Sequence, residues 1–214
     1  MKHVQKRPEP LSLLKWKTQA NENWRPSYGI LQSPEKAILH SALLIEQFFV
    51  CCYCGRSVEA NNSHIEHFRP PGGFPLLQLE SSNLHTSCIH ETPKNANSHC
   101  GHTKNSWFED DSAISPLEDG CEARFRYSLT GHVEASAPDD RPAAIMIDVL
   151  KLNNPYLVNR REAALSGVLD PDFIDTATNE ELTILIEGHS QPENGRLEAF
   201  GHVSSSVCRS LSLR

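Results

Sequence analysis

The 214-residue sequence predicts an α+β fold, in which a small strand–strand–helix unit built around a cysteine cluster is embedded between helical N- and C-terminal regions. Three observations predict it. Cys51, Cys52 and Cys54 crowd into four residues. The segments HIEHFRP and NLHTSC read as two short strands separated by the turn residues Pro70-Pro71-Gly72-Gly73. Apolar runs of helical period, several with capping residues, lie on both sides of this segment.

The elements follow in chain order. Residues 1–31 read as irregular, with Pro8, Pro10 and Pro26 as breakers. Ser33-Pro34-Glu35 offers a capping hydroxyl, a proline at the first helical position and an early acid. A helix is expected from there to about Val50, burying the face of Ile38, Ala42, Leu43, Ile45 and Phe49. The two strands come next, then a polar loop at KNANSH and a helix opening at CGHTKNSWF. ARFRYSL alternates and Thr130-Gly131 marks a hairpin turn. Asp140-Arg141-Pro142 and Asn154-Pro155 each begin a helix, and Thr178-Asn179-Glu180-Glu181 is a capping-box pattern for a third. The tail ending in SSSVCRSLSLR is expected as a weak helix or a mobile end. These elements divide the chain into residues 1–50, an arm and helix; 51–110, the cysteine-rich core; and 111–214, a hairpin and helical region.

Composition narrows the function classes. Hydrophobic residues make up 38% of the chain, and no apolar run approaches the ~18 residues of a membrane-spanning helix. The basic start MKHVQKRPEP lacks the apolar stretch of a signal peptide, so the cytoplasm is the expected location. Thiols there are reduced or metal-bound rather than disulfide-linked. The net charge of −7 is uneven: +3 over residues 1–50, zero over 51–108 and −10 over 109–214. Six of the eleven histidines fall in the neutral middle segment. An acidic chain is a poor general binder of phosphate backbones, so action on nucleic acid calls for a local site and a partner that supplies grip.

The chemistry concentrates in that middle segment. Cys51 and Cys54 have the C-x-x-C spacing that lets two sulfurs reach one ion, and Cys88 and Cys100 supply two more thiols. Four thiolates make a closed, structural zinc site. Cys52 is an alternative to Cys51, and His90 or His99 to one of the other thiols. Glu66-His67 ends the first strand, where neighbouring side chains point to opposite faces unless the backbone bends. Asn83 opens the return strand, and Lys104 follows in the proposed helix. His64 shares the strand face of Glu66 and is either a neighbour of its site or simply exposed.

The order EHFRP, NL and C-G-H-T-K resembles the HNH endonucleases, whose ββα-metal fold carries a catalytic divalent ion and often a zinc knuckle. The resemblance implies that Glu66 is a metal ligand, His67 the general base and Asn83 a brace for the loop. It also implies that Cys51, Cys54, Cys88 and Cys100 hold zinc. The family's third motif position falls on Gly101, which has no ligating side chain; His102 is the expected substitute, with His99 and Asn105 as alternatives. Lys104 is either a phosphate contact or a surface lysine. The stretches MKHVQKRPEP, CCYCGR, SHIEHFRP, SNLHTSC, ISPLEDGCEARFRYSLTGHV and VLKLNNPYLVNRR are similar to the PtuB branch, the HNH effectors of Septu-type and retron-associated anti-phage systems. That likeness implies a PtuA-like ABC-type ATPase as partner, possible association with a retron reverse transcriptase and its RNA/DNA, and a DNA or tRNA substrate. The cofactors it implies are a structural Zn²⁺ and a catalytic Mg²⁺ or another divalent ion. The helices between Asp140 and Leu169 are assigned to packing and partner docking, with Arg160-Arg161 as a contact. Two other readings compete: a zinc-stabilised adaptor that keeps the HNH scaffold without catalysis, and a thiol redox protein using C-x-x-C alone.

Overall fold

The computed structural model describes residues 1–89 and 98–212. The N-terminal segment is more ordered than its prolines suggest. Helix α1 (Leu11–Lys17) begins directly after Pro10, because a proline ahead of the first turn costs no helical hydrogen bond. Helix α2 (Glu35–Glu46) starts one residue later than expected, so Pro34 takes the cap position and no side chain caps the helix. Its buried face is Leu39, Leu43 and Leu44, whereas Ile38 and Ile45 are exposed. The run AILHSALLIE is apolar almost all round, so spacing alone does not fix which stripe faces inward. The helix also ends early. Phe48 and Phe49 take positive φ values of 50° and 61°, and this turn swings the chain into the cysteine knuckle.

Strands β1 (Ser63–His67) and β2 (Leu84–Cys88) pair antiparallel, with Glu66 opposite His85 and His64 opposite Ser87. One face of this hairpin presents Ile65 and Leu84 to α1 and α2, where they join Leu13, Leu31, Leu39, Leu43 and Leu79 in a small apolar cluster. The opposite face carries His64, Glu66, His85 and Ser87, and α3 (Gly101–Lys104) lies against it through the Gly101 amide, which donates to Ser87 Oγ at 3.1 Å. Only one helical turn forms where CGHTKNSWF suggested a longer helix, because Asn105 turns to φ 48°. His90 and most of the expected polar loop lie outside the described residues.

Strands β3 (Phe125–Tyr127) and β4 (Val133–Ala135) form the second hairpin, with Gly131 at φ 78° in its turn. Helix α4 (Arg141–Val149) is capped by Asp140 and α5 (Pro155–Ser166) by Asn154, both as the sequence suggests. Helix α6 (Pro171–Thr176), capped by Asp170, was not expected. Helix α7 (Asn179–Ser190) carries the complete Thr178–Glu181 capping box.

Of the two expectations for the C-terminal segment, a weak helix or a mobile end, the structure has the helix. This helix, α8 (Gly201–Leu211), packs along α7 and buries Val203, Val207 and Cys208. The main apolar cluster joins these residues to Met146, Leu150, Leu157, Phe125 and the knuckle residues Cys51–Cys54. The role expected of Arg161 is corrected. It is 1% exposed, donates to the carbonyls of Leu157 and Leu152 and lies over the Tyr127 ring, so it serves the interior and offers no surface to a partner.

Candidate metal centre and adjoining polar cluster

The knuckle is a tight turn. The Cys51 amide donates to Arg56 O at 2.8 Å and the Gly55 amide to Cys51 O at 2.9 Å. Gly55 sits at φ +72° with the His202 ring of α8 against its Cα, a conformation and a space that suit only glycine. The turn aims Cys51 and Cys54 toward Cys88 at the end of β2 and Cys100 at the start of α3. All four sulfurs lie within 4.8 Å of one another, and all four residues are buried. Cys54 Sγ and Cys88 Sγ are 3.8 Å apart. Two sulfurs held tetrahedrally at ~2.3 Å from one zinc ion stand about 3.8 Å apart, so the spacing fits that ion. The four thiols can hold a metal such as zinc. None of the seven cysteines forms a disulfide.

Cys52 is not part of this group of four. Its thiol is pushed well up, first by burial and then by Cys51, whereas Cys51 is pulled well down. Burial alone would raise Cys51; the hydrogen bonds from Cys100, Cys52, Cys54 and Cys88 outweigh it. His99 adjoins the cluster, with Nδ1 3.1 Å from Cys100 Sγ and 3.6 Å from Cys88 Sγ.

The polar cluster stands beside this centre on the far face of the β1–β2 hairpin. Glu66 is 6% exposed and its two oxygens have different partners. Oε1 is 3.0 Å from Lys104 Nζ and accepts from Tyr53 Oη at 3.2 Å. Oε2 is 3.1 Å from His64 Nε2. Burial pushes the Glu66 carboxyl up, but the hydrogen bond from His64 and the Lys104 charge bring it below the ordinary value. The carboxylate is therefore ionised across the neutral range. Lys104 is fully buried and also donates to His67 O at 2.9 Å, which excludes a surface role for it.

Gly101 supplies the space that this arrangement needs. A Cβ there would overlap Glu66 Oε2 and lie 2.8 Å from His64 Nε2. The residue has no ligand atom because its neighbours occupy the place a side chain would take. His102 is exposed, with its ring stacked on His64 at 5.2 Å between centroids. Asn105 is exposed at the end of the turn, beyond this stack.

His67 leaves the strand end toward different partners. Nε2 donates to Gln78 O at 3.0 Å, and the ring meets Tyr28 edge-to-face at 4.4 Å. A nitrogen facing a carbonyl must carry the proton, so Nδ1 holds the lone pair in the neutral ring. Burial lowers the His67 pKa, an effect the Gln78 hydrogen bond and the Glu66 charge only partly offset. Asn83 is 4% exposed and ties the loop between the strands: Oδ1 accepts from Arg69 N at 2.7 Å, and Nδ2 donates to Arg69 O and Leu77 O, each at 3.0 Å. Arg69 lies over the rings of Phe74 and Phe108 and pairs with Asp110.

The structure thus gathers Glu66, His102 and Lys104 on one side of the hairpin, His67 and Asn83 at its open end, and the four cysteines beneath. Tyr53 and Gln78 were not expected. Tyr53 had a signal, since it sits between two ligand cysteines; Gln78 acts through its backbone and leaves none. His85, opposite Glu66, is wholly buried, and neither ring nitrogen has a hydrogen-bond partner among the described residues. No family model and no curated protein matches the chain.

Proposed function

We propose that the chain is a metal-dependent endonuclease of the HNH type, acting as an effector of an anti-phage complex with a PtuA-like ABC ATPase. One observation carries this reading: an antiparallel hairpin and a following helical turn join a four-cysteine centre to a buried Glu66, a His67 with a free Nδ1 lone pair, and a loop-bracing Asn83. In this reading a phosphate would bind at the end of β1, where Glu66 and His67 leave the strand toward opposite faces. His67 Nδ1 takes a proton from water, with the Nε2–H bond to Gln78 O holding the ring in the productive tautomer. Asn83 braces the loop between the strands through Arg69 and Leu77. A divalent ion at Glu66 and His102 would neutralise charge on the scissile phosphate and the leaving oxygen. The zinc at the four cysteines sets geometry, because a hairpin and one helical turn bury too little apolar surface to stay rigid alone.

The zinc-stabilised adaptor is the second reading. The Glu66–Lys104 ion pair favours it, since the pair neutralises the carboxylate without any metal. Cleavage of plasmid DNA and of total tRNA by the protein, co-purified with a neighbouring ATPase, separates the two. Hydrolysis with divalent ion that EDTA abolishes supports the endonuclease; intact substrates from a zinc-loaded complex support the adaptor. Which substrate is cut assigns DNA or tRNA.

A further inference from the structure

We propose that Leu76 is a wedge that enters between stacked bases, so that the chain engages nucleic acid at an unpaired or easily unstacked step and not along a regular duplex. This inference rests on the endonuclease reading for the cut that follows, but not for the binding.

Exposure is the first observation. Leu76 is 90% exposed, whereas the next most exposed large apolar side chain, Leu11, is at 73%. Single exposed apolar residues are common, so exposure alone assigns nothing. The way Leu76 is held sets it apart. It is the middle residue of the short 3₁₀ turn Pro75–Leu77, in the connection from β1 to β2. That connection is tied down on both sides of it. The Phe74 amide donates to Pro70 O at 3.0 Å, and the Phe74 ring packs edge-on against Phe108 at 5.1 Å. Asn83 Nδ2 donates to Leu77 O, Tyr28 N to Gln78 Oε1 and Lys17 Nζ to Leu79 O, each at 3.0 Å. Leu79 is buried and Phe74 half-buried, so the loop turns these inward and leaves one leucine to solvent on an anchored base. A side chain presented this way loses little freedom on binding.

Its surroundings are the second observation. Leu76 lies two residues before Gln78, whose carbonyl oxygen accepts from His67 Nε2 at 3.0 Å. Two cations stand at the same end of the hairpin. The Arg69 guanidinium lies over the rings of Phe74 and Phe108, and its ion pair to Asp110 is exposed on both sides, so a phosphate can readily replace that carboxylate. Lys36 Nζ is 4.9 Å from the centre of the Tyr28 ring, which meets His67 at 4.4 Å, and it has no ion pair among the described residues. An apolar side chain that enters a base step, beside cations that hold the backbone, is the means by which proteins kink nucleic acid. Opening the stack is easiest where a base is already unpaired, and this names the substrate class. An acidic chain gains little from uniform phosphate contacts, so a local wedge suits its charge.

The test is binding by the zinc-loaded protein, co-purified with a neighbouring ATPase and with no other divalent ion added. The probes are two short duplexes carrying 2-aminopurine, one fully paired and one with a single unpaired base beside the 2-aminopurine, each made as DNA and as RNA. The expected result is at least about tenfold tighter binding of the duplex with the unpaired base, with a rise in 2-aminopurine fluorescence as the stack opens. Leu76→Ser is expected to lose both the preference and the rise, while zinc content, circular dichroism and affinity for the paired duplex stay unchanged. Arg69→Gln and Lys36→Gln are expected to weaken both duplexes alike and to flatten the salt dependence. A preference that survives in Leu76→Ser, or no preference in the wild type, would overturn the proposal. Release of the ATPase from Leu76→Ser would also overturn it, by making the leucine a protein contact. Leu76-dependent binding that is not followed by cleavage when Mg²⁺ or Mn²⁺ is added would uphold the wedge and defeat the endonuclease reading. Equal cleavage of both duplexes by the wild type and Leu76→Ser would do the reverse.

Discussion

Lys104 Nζ lies 3.0 Å from Glu66 Oε1, and the two side chains are 0% and 7% exposed. A buried pair of this kind is costly to break from one side, because the remaining charge is stranded. Lys104→Met is expected to destabilise the fold by about 3–5 kcal/mol. Adding Glu66→Gln to Lys104→Met is expected to recover part of that loss. Urea denaturation of the two single variants and the double variant measures the coupling; strictly additive losses would show that the pair does not act as a unit.

The cysteine centre makes a residue-level prediction. The wild-type protein is expected to carry one zinc per chain by elemental analysis. Cys54→Ser is expected to lose it and to unfold the knuckle, since metal binding and local folding are one process here. Cys52→Ser is expected to keep the full zinc content, because Cys52 stands outside the group of four. Zinc lost from the Cys52 variant and kept in a Cys51 variant would reverse the assignment.

Much of this architecture is legible in the residues, and the failures have physical causes. Helix starts at Asp140, Asn154 and Thr178 are local events, written in a capping side chain and its neighbours, and the structure has all three. The four cysteines were legible because thiol spacing constrains metal geometry directly. The inward face of α2 was not, because its apolar residues surround the helix and only the position of β1–β2 selects Leu39 and Leu43. The tail was left between a weak helix and a mobile end because its serines hide a spaced set, Val203, Val207 and Leu211, which recurs every four residues. Lys104 was misjudged because nothing in C-G-H-T-K tells a buried lysine from an exposed one. Its burial depends on Glu66, which is distant in sequence and arrives through the hairpin.

His85 offers a gain in stability. Its ring is wholly buried with both nitrogens unpartnered among the described residues, and a polar group in that state is a net cost. His85→Leu is expected to stabilise the protein by about 1–2 kcal/mol, read as a higher Tm at pH 7. Burial first, then the Lys6 and Lys104 charges, hold its pKa well below the ordinary value. The unfolded chain takes up this proton near pH ~6.5 and the folded chain does not. The contribution of the neutral ring is thus complete above that pH and is lost as the pH falls, by at most about 1.4 kcal/mol per pH unit. The leucine variant is expected to lose less stability between pH 7 and 5 than the wild type. A steeper acid fall in the variant would contradict the assignment.

Gly101 is a steric test of the polar cluster. Gly101→Ala sets a methyl group against Glu66 Oε2 and His64 Nε2, and overpacking of this kind costs about 1–3 kcal/mol. The expected outcome is a lower urea midpoint with retained zinc. An alanine variant as stable as the wild type would mean that the cluster is looser than its distances indicate.

The measurement that bears most directly on the central claim is the pH profile of nucleic-acid cleavage by the wild-type complex, run beside His67→Ala. Burial lowers the His67 pKa, so its neutral, proton-accepting form prevails at pH 7, and cleavage is expected to fall only as the pH drops below the ordinary histidine value. The alanine variant is expected to stay folded and zinc-loaded while losing at least about a hundredfold in rate. Cleavage that persists in His67→Ala, or a wild-type rate that is flat down to pH 5, would contradict His67 as the base and with it the endonuclease assignment of this site.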